Sequence, residues 1–176
     1  MKTARILMAG AGGQGIVFLG KLLANAALET SPHITFFPCY GAEVRGGDSH
    51  CQVILSPAAI SSPVADEFEV MILMNQHSVD KFLPDLTDKG LAIINSSLCR
   101  ARQSSPKWFL IPATEEADQL GDQRAANLVM LGALLAREPF VKPASIQKHL
   151  QQTAKGDKAS LERNLAAFHR GLTFSR

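Results

Sequence analysis

The stretch ARILMAGAGGQGI, Ala4 to Ile16, sets the reading of the whole chain. Ala4 to Ala9 is a short apolar run ending on glycine, the pattern of a buried strand that feeds a tight turn. Beyond the turn Ile16, Leu19, Leu23 and Ala26 recur at helical spacing, with Val17, Leu22 and Ala27 widening the buried stripe. A helix therefore runs to about Leu28, and Ser31-Pro32 end it. Between strand and helix, Gly10, Gly12 and Gly15 fit G-x-G-x-x-G. In that setting Gly10 permits the sharp turn, Gly12 lets the backbone approach a pyrophosphate, and Gly15 lets the helix pack closely on the strand. The N–H groups at the helix start favour an anion. Gly13 completes the loop, and Gln14 is expected to offer its amide outward.

Working outward, the same design repeats. His33 to Phe37 reads as a strand stopped by Pro38, and His50 to Leu55 as another, closed by Ser56-Pro57. Val70 to Met74 (VMILM) is apolar at every position, as expected of a strand covered on both faces, and Leu91 to Ile94 and Trp108 to Ile111 repeat it. Helical patterns occupy about Ser78–Leu83, Thr114–Leu120, Arg124–Arg137, Ala144–Thr153 and Ala159–Leu172. Strands alternating with helices specify an α/β fold, a mostly parallel sheet with helices on both faces, in which ligands and partners meet the loops beyond the carboxyl ends of the strands. That directs attention to Gly10–Gly15, Pro38–Asp48, Asn75, Asn95 and Pro112. At Asn75 and Asn95, ligand contact competes with simple turn formation.

A dinucleotide-binding site also needs a carboxylate at the end of the second strand to hold the ribose hydroxyls. Here that strand ends in Phe37-Pro38-Cys39, and the first acid after it, Glu43, belongs to a different glycine loop. The NAD(P)-binding reading is incomplete where its specificity lies. It stands beside two others: glycines that only make a tight turn, and a loop that binds another anion or a partner group. The second loop, Tyr40-Gly-Ala-Glu43-Val-Arg45-Gly46-Gly47-Asp48, places Glu43 and Arg45 two apart before a glycine pair. Arg45 could fork onto a carboxylate or phosphate that the amides of Gly46 and Gly47 also bind, or it could pair with Glu43 or Asp48 and hold the loop. Chemistry alone leaves both open.

Composition narrows the classes. The chain has 176 residues, 46% hydrophobic and 19% charged with a net charge of +2, which describes one folded domain and excludes disordered and collagen-like chains. Cys39, Cys51 and Cys99 are widely spaced and odd in number, so free thiols and a cytoplasmic setting are expected. On a strand His50 and Cys51 point to opposite faces, which argues against a metal site there. Residues 142–176 carry seven Lys/Arg against two Asp/Glu, read as a solvated helical surface, and no basic cluster interleaved with aromatics supports nucleic-acid binding. The uncharged stretch Ser49–Ala65 holds two prolines, a glutamine and four serines, which disqualifies it as a membrane span. Its lack of charge instead predicts a surface packed against a partner subunit.

GAGGQGI with Gly20 and Leu23, YGAEVRGG at Tyr40 to Gly47, MNQ at Met74 to Gln76, Asn127 with LGALL at Leu131 to Leu135, and Asn164 with Gly171 together resemble the gamma subunit, or gamma domain, of 2-oxoacid:ferredoxin oxidoreductases. The resemblance covers essentially the whole chain and implies a single Rossmann-like domain over residues 1–176. It also implies a non-redox role. In that family thiamine diphosphate lies between alpha and beta subunits, iron–sulfur clusters lie in beta or in a ferredoxin-like delta subunit, and the gamma part contributes to assembly and to the coenzyme A side of the site. The complex converts a 2-oxoacid to an acyl-coenzyme A and passes electrons to ferredoxin. The resemblance therefore implies no cofactor in this chain, alpha and beta partners, an inactive isolated chain, and a binding set of Gly10, Gly12, Gly13, Gln14, Gly15, Glu43, Arg45, Gly46, Gly47 and Asn75. Ser62-Pro63 and Met74-Asn75-Gln76 lean toward the 2-oxoglutarate members. A free-standing NAD(P)-binding domain, acting as redox sensor or small dehydrogenase, is the rival expectation.

Overall fold

A computed structural model describes residues 2–40, 47–100, 105–154 and 156–174. The elements follow the order β1 (Ala4–Ala11), α1 (Ile16–Ala27), β2 (His33–Tyr40), β3 (Asp48–Ser56), β4 (Phe68–Leu73), α2 (Gln76–Phe82), β5 (Leu86–Asn95), β6 (Trp108–Ile111), α3 (Ala113–Gln119), α4 (Ala126–Arg137), α5 (Pro143–Thr153) and α6 (Lys158–Leu172). The sheet runs β2-β3-β1-β4-β5-β6. β1, β4, β5 and β6 are parallel, whereas β3 is antiparallel to both its neighbours, β1 and β2. The α/β expectation of a mostly parallel sheet is met, with one reversed strand inside it.

That reversed strand corrects two expectations. β2 does not stop at Pro38 but continues to Tyr40, with Pro38 opposite Cys51. β2 is the edge strand, where a missing N–H can face away from the ladder. The uncharged stretch from Ser49 is likewise explained internally: β3 is paired on both sides, and Cys51 to Ser56 are buried inside this chain. Only its second half, from Pro57 to Val64, is largely exposed.

Alternation along the strands divides the core. Ile6, Met8, Cys51, Val53, Leu55, Val70, Ile72 and Ile93 face one side, against apolar residues of α1, α3, α4, α5 and α6. Leu7, Ala9, Met71, Leu73, Ala92 and Ile94 face the other, packed with Val79 of α2, Phe68, Cys99 and Trp108. Helices cover both faces, but unequally. α4 is the centre of the thicker side: every residue from Ala126 to Leu135 is buried, as a helix apolar all round must be. β5 begins at Leu86, five residues before the expected start, because its first half is a polar, partly exposed extension ahead of the buried Ala92–Asn95.

α6 lies directly on α4 through two glycines. A Cβ on Gly132 would meet Phe168 O and lie 2.8 Å from Gly171 Cα, and a Cβ on Gly171 would meet Val129 O. These contacts are backbone atoms, which cannot rotate away, so a methyl group forces the helices apart. Gly171→Ala is expected to lower the stability of the domain by about 1–3 kcal/mol, the usual cost of overpacking. Urea denaturation checks this, and an unchanged midpoint would contradict the packing described.

Candidate functional site

The carboxyl ends of β1, β4, β5 and β6 meet at one edge, and the glycine loop after β1 is fixed there by contacts on every side. Gly10 is enclosed: a Cβ would lie 2.9 Å from Met74 Cβ and 3.0 Å from Ile16 Cδ1. Gly12 donates its N–H to Gly47 O at 2.9 Å, so the amide expected to approach a pyrophosphate ties the two glycine loops together instead. Gln14 does not point its carbonyl outward, because Oε1 accepts from Ala11 N at 2.7 Å and closes the turn. Gly15 is the N-cap of α1 in the left-handed conformation (φ 71°), where a side chain is strained, and a Cβ there would strike Asn127 Nδ2. That Nδ2 donates to Gly15 O at 3.2 Å. Gly13 (φ 95°), unlike Gly10 and Gly15, faces open space.

Of the second loop, Glu43, Arg45 and Gly46 lie outside the described residues, while Gly47 is present as the acceptor for Gly12. The hairpin register nevertheless fixes where that loop starts and ends. Tyr40 pairs with Ser49 and Ala11 with Asp48, so both ends of the segment lie at the carboxyl end of β1. Asn75 caps α2 by accepting from Ser78 N at 2.8 Å. Asn95, fully buried, donates to Met74 O (3.3 Å) and Thr114 Oγ1 (2.9 Å) and accepts from Thr114 N (3.4 Å). It joins the ends of β4 and β5 to the start of α3, which is a bracing role rather than ligand contact.

Between these braces opens a cleft of about 250 Å³, with Gly13 and Gln14 meeting Thr114, Gln123 and Arg124, and Met74 and Leu98 supplying apolar lining. Leu98 is 47% exposed. The cation is fixed in place. Arg124 Nε and Nη2 fork onto Asp122 Oδ1 and Oδ2, both at 2.9 Å, and Arg124 N bonds Oδ1 at 3.1 Å. These bonds from Arg124 hold the Asp122 carboxyl down at about 2. Sequence reading missed Thr114, Gln123, Arg124 and Asp122. The available signal was Asp122 as a capping acid ahead of a long apolar helix.

The remaining candidates separate. Burial would raise the Asp48 carboxyl, but hydrogen bonds from Lys81 (3.1 Å) and His77 (2.8 Å) outweigh it and hold it below its usual range. His50 lies on the α2 side of the sheet, its ring 5.0 Å from that of Phe82, whereas Cys51 faces α1 and donates to Ile16 O. Burial pushes the Cys51 and Cys99 thiols up to about 12 and raises Cys39 as well, the opposite of what activates a nucleophile. The strand-end acid that a dinucleotide site needs presupposes a second strand beside the first. Here β3 intervenes, so the end of β2 lies two strand spacings, about 10 Å, from β1.

A family model described as pyruvate ferredoxin/flavodoxin oxidoreductase matches residues 5–174. The chain belongs to this family. Among its relatives, the ketoisovalerate oxidoreductase subunit VorA of Methanothermobacter thermautotrophicus is 34% identical over 173 residues, covering 98% of this chain and 36% of VorA. The 2-oxoglutarate synthase subunit KorC of Methanocaldococcus jannaschii is 30% identical over 171 residues, covering 94% of this chain and 90% of KorC. The chain thus spans about a third of the length of VorA and most of KorC. A keto/oxoacid ferredoxin oxidoreductase gamma subunit from Geobacter sulfurreducens superposes with a TM-score of 0.82 at 26% identity, over 98% of both chains. The 2-oxoglutarate:ferredoxin oxidoreductase of Magnetococcus marinus, solved with 2-oxoglutarate, coenzyme A and succinyl-CoA bound, shares the fold with a TM-score of 0.87 at 23% identity, over 99% of this chain and 31% of that one. The homologous members are subunits of oxidoreductase complexes acting on 2-oxoacids, and nothing among them supports an NAD(P)-binding domain.

The Asp122–Arg124 fork has a pH signature. A carboxyl depressed from 3.8 to about 2 stabilises the fold above pH ~4, and that contribution is lost as pH falls through about 2. Asp122→Asn is expected to cost about 1 kcal/mol or less at neutral pH, as for other exposed ion pairs. Its melting temperature should converge with that of the parent protein between pH ~4 and ~2. A constant difference across that range would contradict the pairing.

Proposed function

We propose that this chain is the gamma-type, non-redox component of a 2-oxoacid:ferredoxin oxidoreductase, and that its crevice at the strand ends forms part of the coenzyme A side of the assembled site. The observation that carries the reading is the family match across both glycine loops, the first of which lines a cleft that also holds a paired cation. Coenzyme A presents phosphates, then amides, then a short chain ending in a thiol. Arg124 suits the phosphates, Gln14, Gln123 and Thr114 suit the amides, and Met74 and Leu98 suit the chain. Gly10, Gly12, Gly13 and Gly15 hold the loop in shape, Asn75 fixes the neighbouring helix start, and Glu43, Arg45, Gly46 and Gly47 form the second loop as anchor or anion clamp. Thiamine diphosphate and iron–sulfur clusters on alpha, beta and ferredoxin-like delta partners would supply the decarboxylation and the electron path to ferredoxin. This chain binds and orients, and alone it is inactive. No cluster of three or more His, Cys, Asp or Glu residues with metal-site geometry occurs among the described residues. No described helix is long and apolar enough to cross a membrane. We place the complex in the cytoplasm.

For the substrate, 2-oxoglutarate is favoured by the Ser62-Pro63 and Met74–Gln76 motifs and by the KorC relatives that match over about nine-tenths of both chains. A branched 2-oxoacid is the second reading, carried by the 34% identity to VorA. Affinity purification of the chain from its native cell should bring down thiamine- and cluster-binding subunits. The purified complex should reduce ferredoxin with 2-oxoglutarate and coenzyme A faster than with 3-methyl-2-oxobutanoate. A chain that purifies alone and binds NADH at micromolar concentration would sink the proposal. Within the complex, Arg124→Ala is expected to raise the KM for coenzyme A about tenfold, equivalent to ~1.4 kcal/mol, with little change in the KM for the 2-oxoacid. Arg45→Ala should weaken assembly or raise the coenzyme A requirement. Unchanged kinetics and assembly in both variants would remove these residues from the site.

A further inference from the structure

The opposite edge of the sheet carries a second basic pocket. β5 and β6 are parallel, and the Ala92 N–H bonds Lys107 O at 2.9 Å, so the residues leading into both strands share the edge remote from the glycine loops. There a cavity of about 460 Å³ opens against the last turn of α4, lined by Lys89, Gly90, Pro106, Lys107, Arg137 and Glu138. The placement of Arg137 marks it. The Arg137 guanidinium is stacked on the Phe109 ring, its Cζ 3.3 Å from the ring centroid, which holds the plane of the fork in one orientation. The Nε of the same side chain is enclosed by protein atoms and makes no hydrogen bond within the chain, so the rest of the guanidinium is what can meet a ligand.

Charge then selects the ligand. Three cations against Glu138 leave two positive charges, and the C-terminal end of α4 subtracts about half a charge. Lys107 also has a 3.7 Å contact with Asp88, but Asp88, Lys89 and Glu138 are all exposed and screened by water, so the part-buried Arg137 and Lys107 carry the charge that counts. The remainder, about +1.5, matches a phosphate monoester, which carries about −1.5 to −2 at neutral pH, better than a single carboxylate. An orientated guanidinium suits paired phosphate oxygens, and two lysines add point charges that need no fixed geometry. We propose that this pocket binds the phosphate group of a small soluble molecule, at Arg137, Lys89 and Lys107, at the end of the strands opposite the cleft assigned to coenzyme A.

The full chain, titrated at constant ionic strength with inorganic phosphate and separately with adenosine 5′-monophosphate, tests this through its backbone amide NMR shifts. Saturable binding at millimolar concentration or below is expected, with shifts at Gly90, Leu91 and Ala136 that saturate whether or not Gly12 to Gly15 also shift. The Lys89→Ala/Lys107→Ala double variant replaces two surface side chains and should fold normally and bind at least about tenfold more weakly. Arg124→Ala should bind as the parent does, which separates this pocket from the cleft at the other edge. Tighter binding of the monophosphate than of inorganic phosphate marks an ester as the ligand, and the reverse order marks free phosphate; either supports the site. No saturable binding of either probe, shifts confined to Gly12–Gly15, or an affinity unchanged in the double variant would overturn it.

Discussion

The hydrogen bond from Gly12 N–H to Gly47 O, 2.9 Å long, joins the turn after β1 to the residue that leads into β3, far away in sequence. It forms because β3 is inserted between β1 and β2 and runs against both, which returns the chain from the sheet edge to the end of β1. In a dinucleotide-binding arrangement the second strand lies beside the first and the loop amides are kept for pyrophosphate. Here one of those amides is already committed, and the neighbour of Ala11 is Asp48, whose carboxylate is held by His77 and Lys81. The fold keeps the turn of a nucleotide-binding domain but uses it to build a rigid edge.

Rigidity at that edge is supplied from behind. Asn127 from the buried helix α4 bonds Gly15 O, and Asn95 ties β4, β5 and α3 together. Both are buried polar side chains with satisfied partners, and such groups specify one arrangement because any other leaves them unpaired. α4 can reach the loop because its far side is closed by α6 at the Gly132–Gly171 contact, where no side chain intervenes. Small residues in the third layer thus set how closely the second layer approaches the site.

Most of the architecture was legible locally. The uninterrupted apolar run at Val70–Leu73, the helical spacing after Gly15, and the proline and glycine stops placed the strands and helices within a few residues, apart from the early start of β5. Pro38 misled because a strand edge tolerates what a strand centre does not, and edge position is a property of the sheet, not of the segment. The absence of charge from Ser49 onward was read as an interface with another chain, whereas its first half is the interior of this one. For Gln14, nothing in the sequence says that its carbonyl has a backbone N–H within reach, although the side chain still lines the cleft. The residues of the cleft beyond the loop, Thr114 at the start of α3 and Gln123 and Arg124 in the turn before α4, are brought to it only by the parallel order of β4, β5 and β6.

The account depends on a preformed edge, built by this chain before any partner arrives. Hydrogen exchange of the isolated protein tests that at single amides. The Gly12 N–H, bonded to Gly47, is predicted to exchange about a hundredfold or more slowly than that of Gly13, which faces open space in the same turn. Equal, fast exchange at both would show that the two loops are not joined in the free chain and would contradict the central claim.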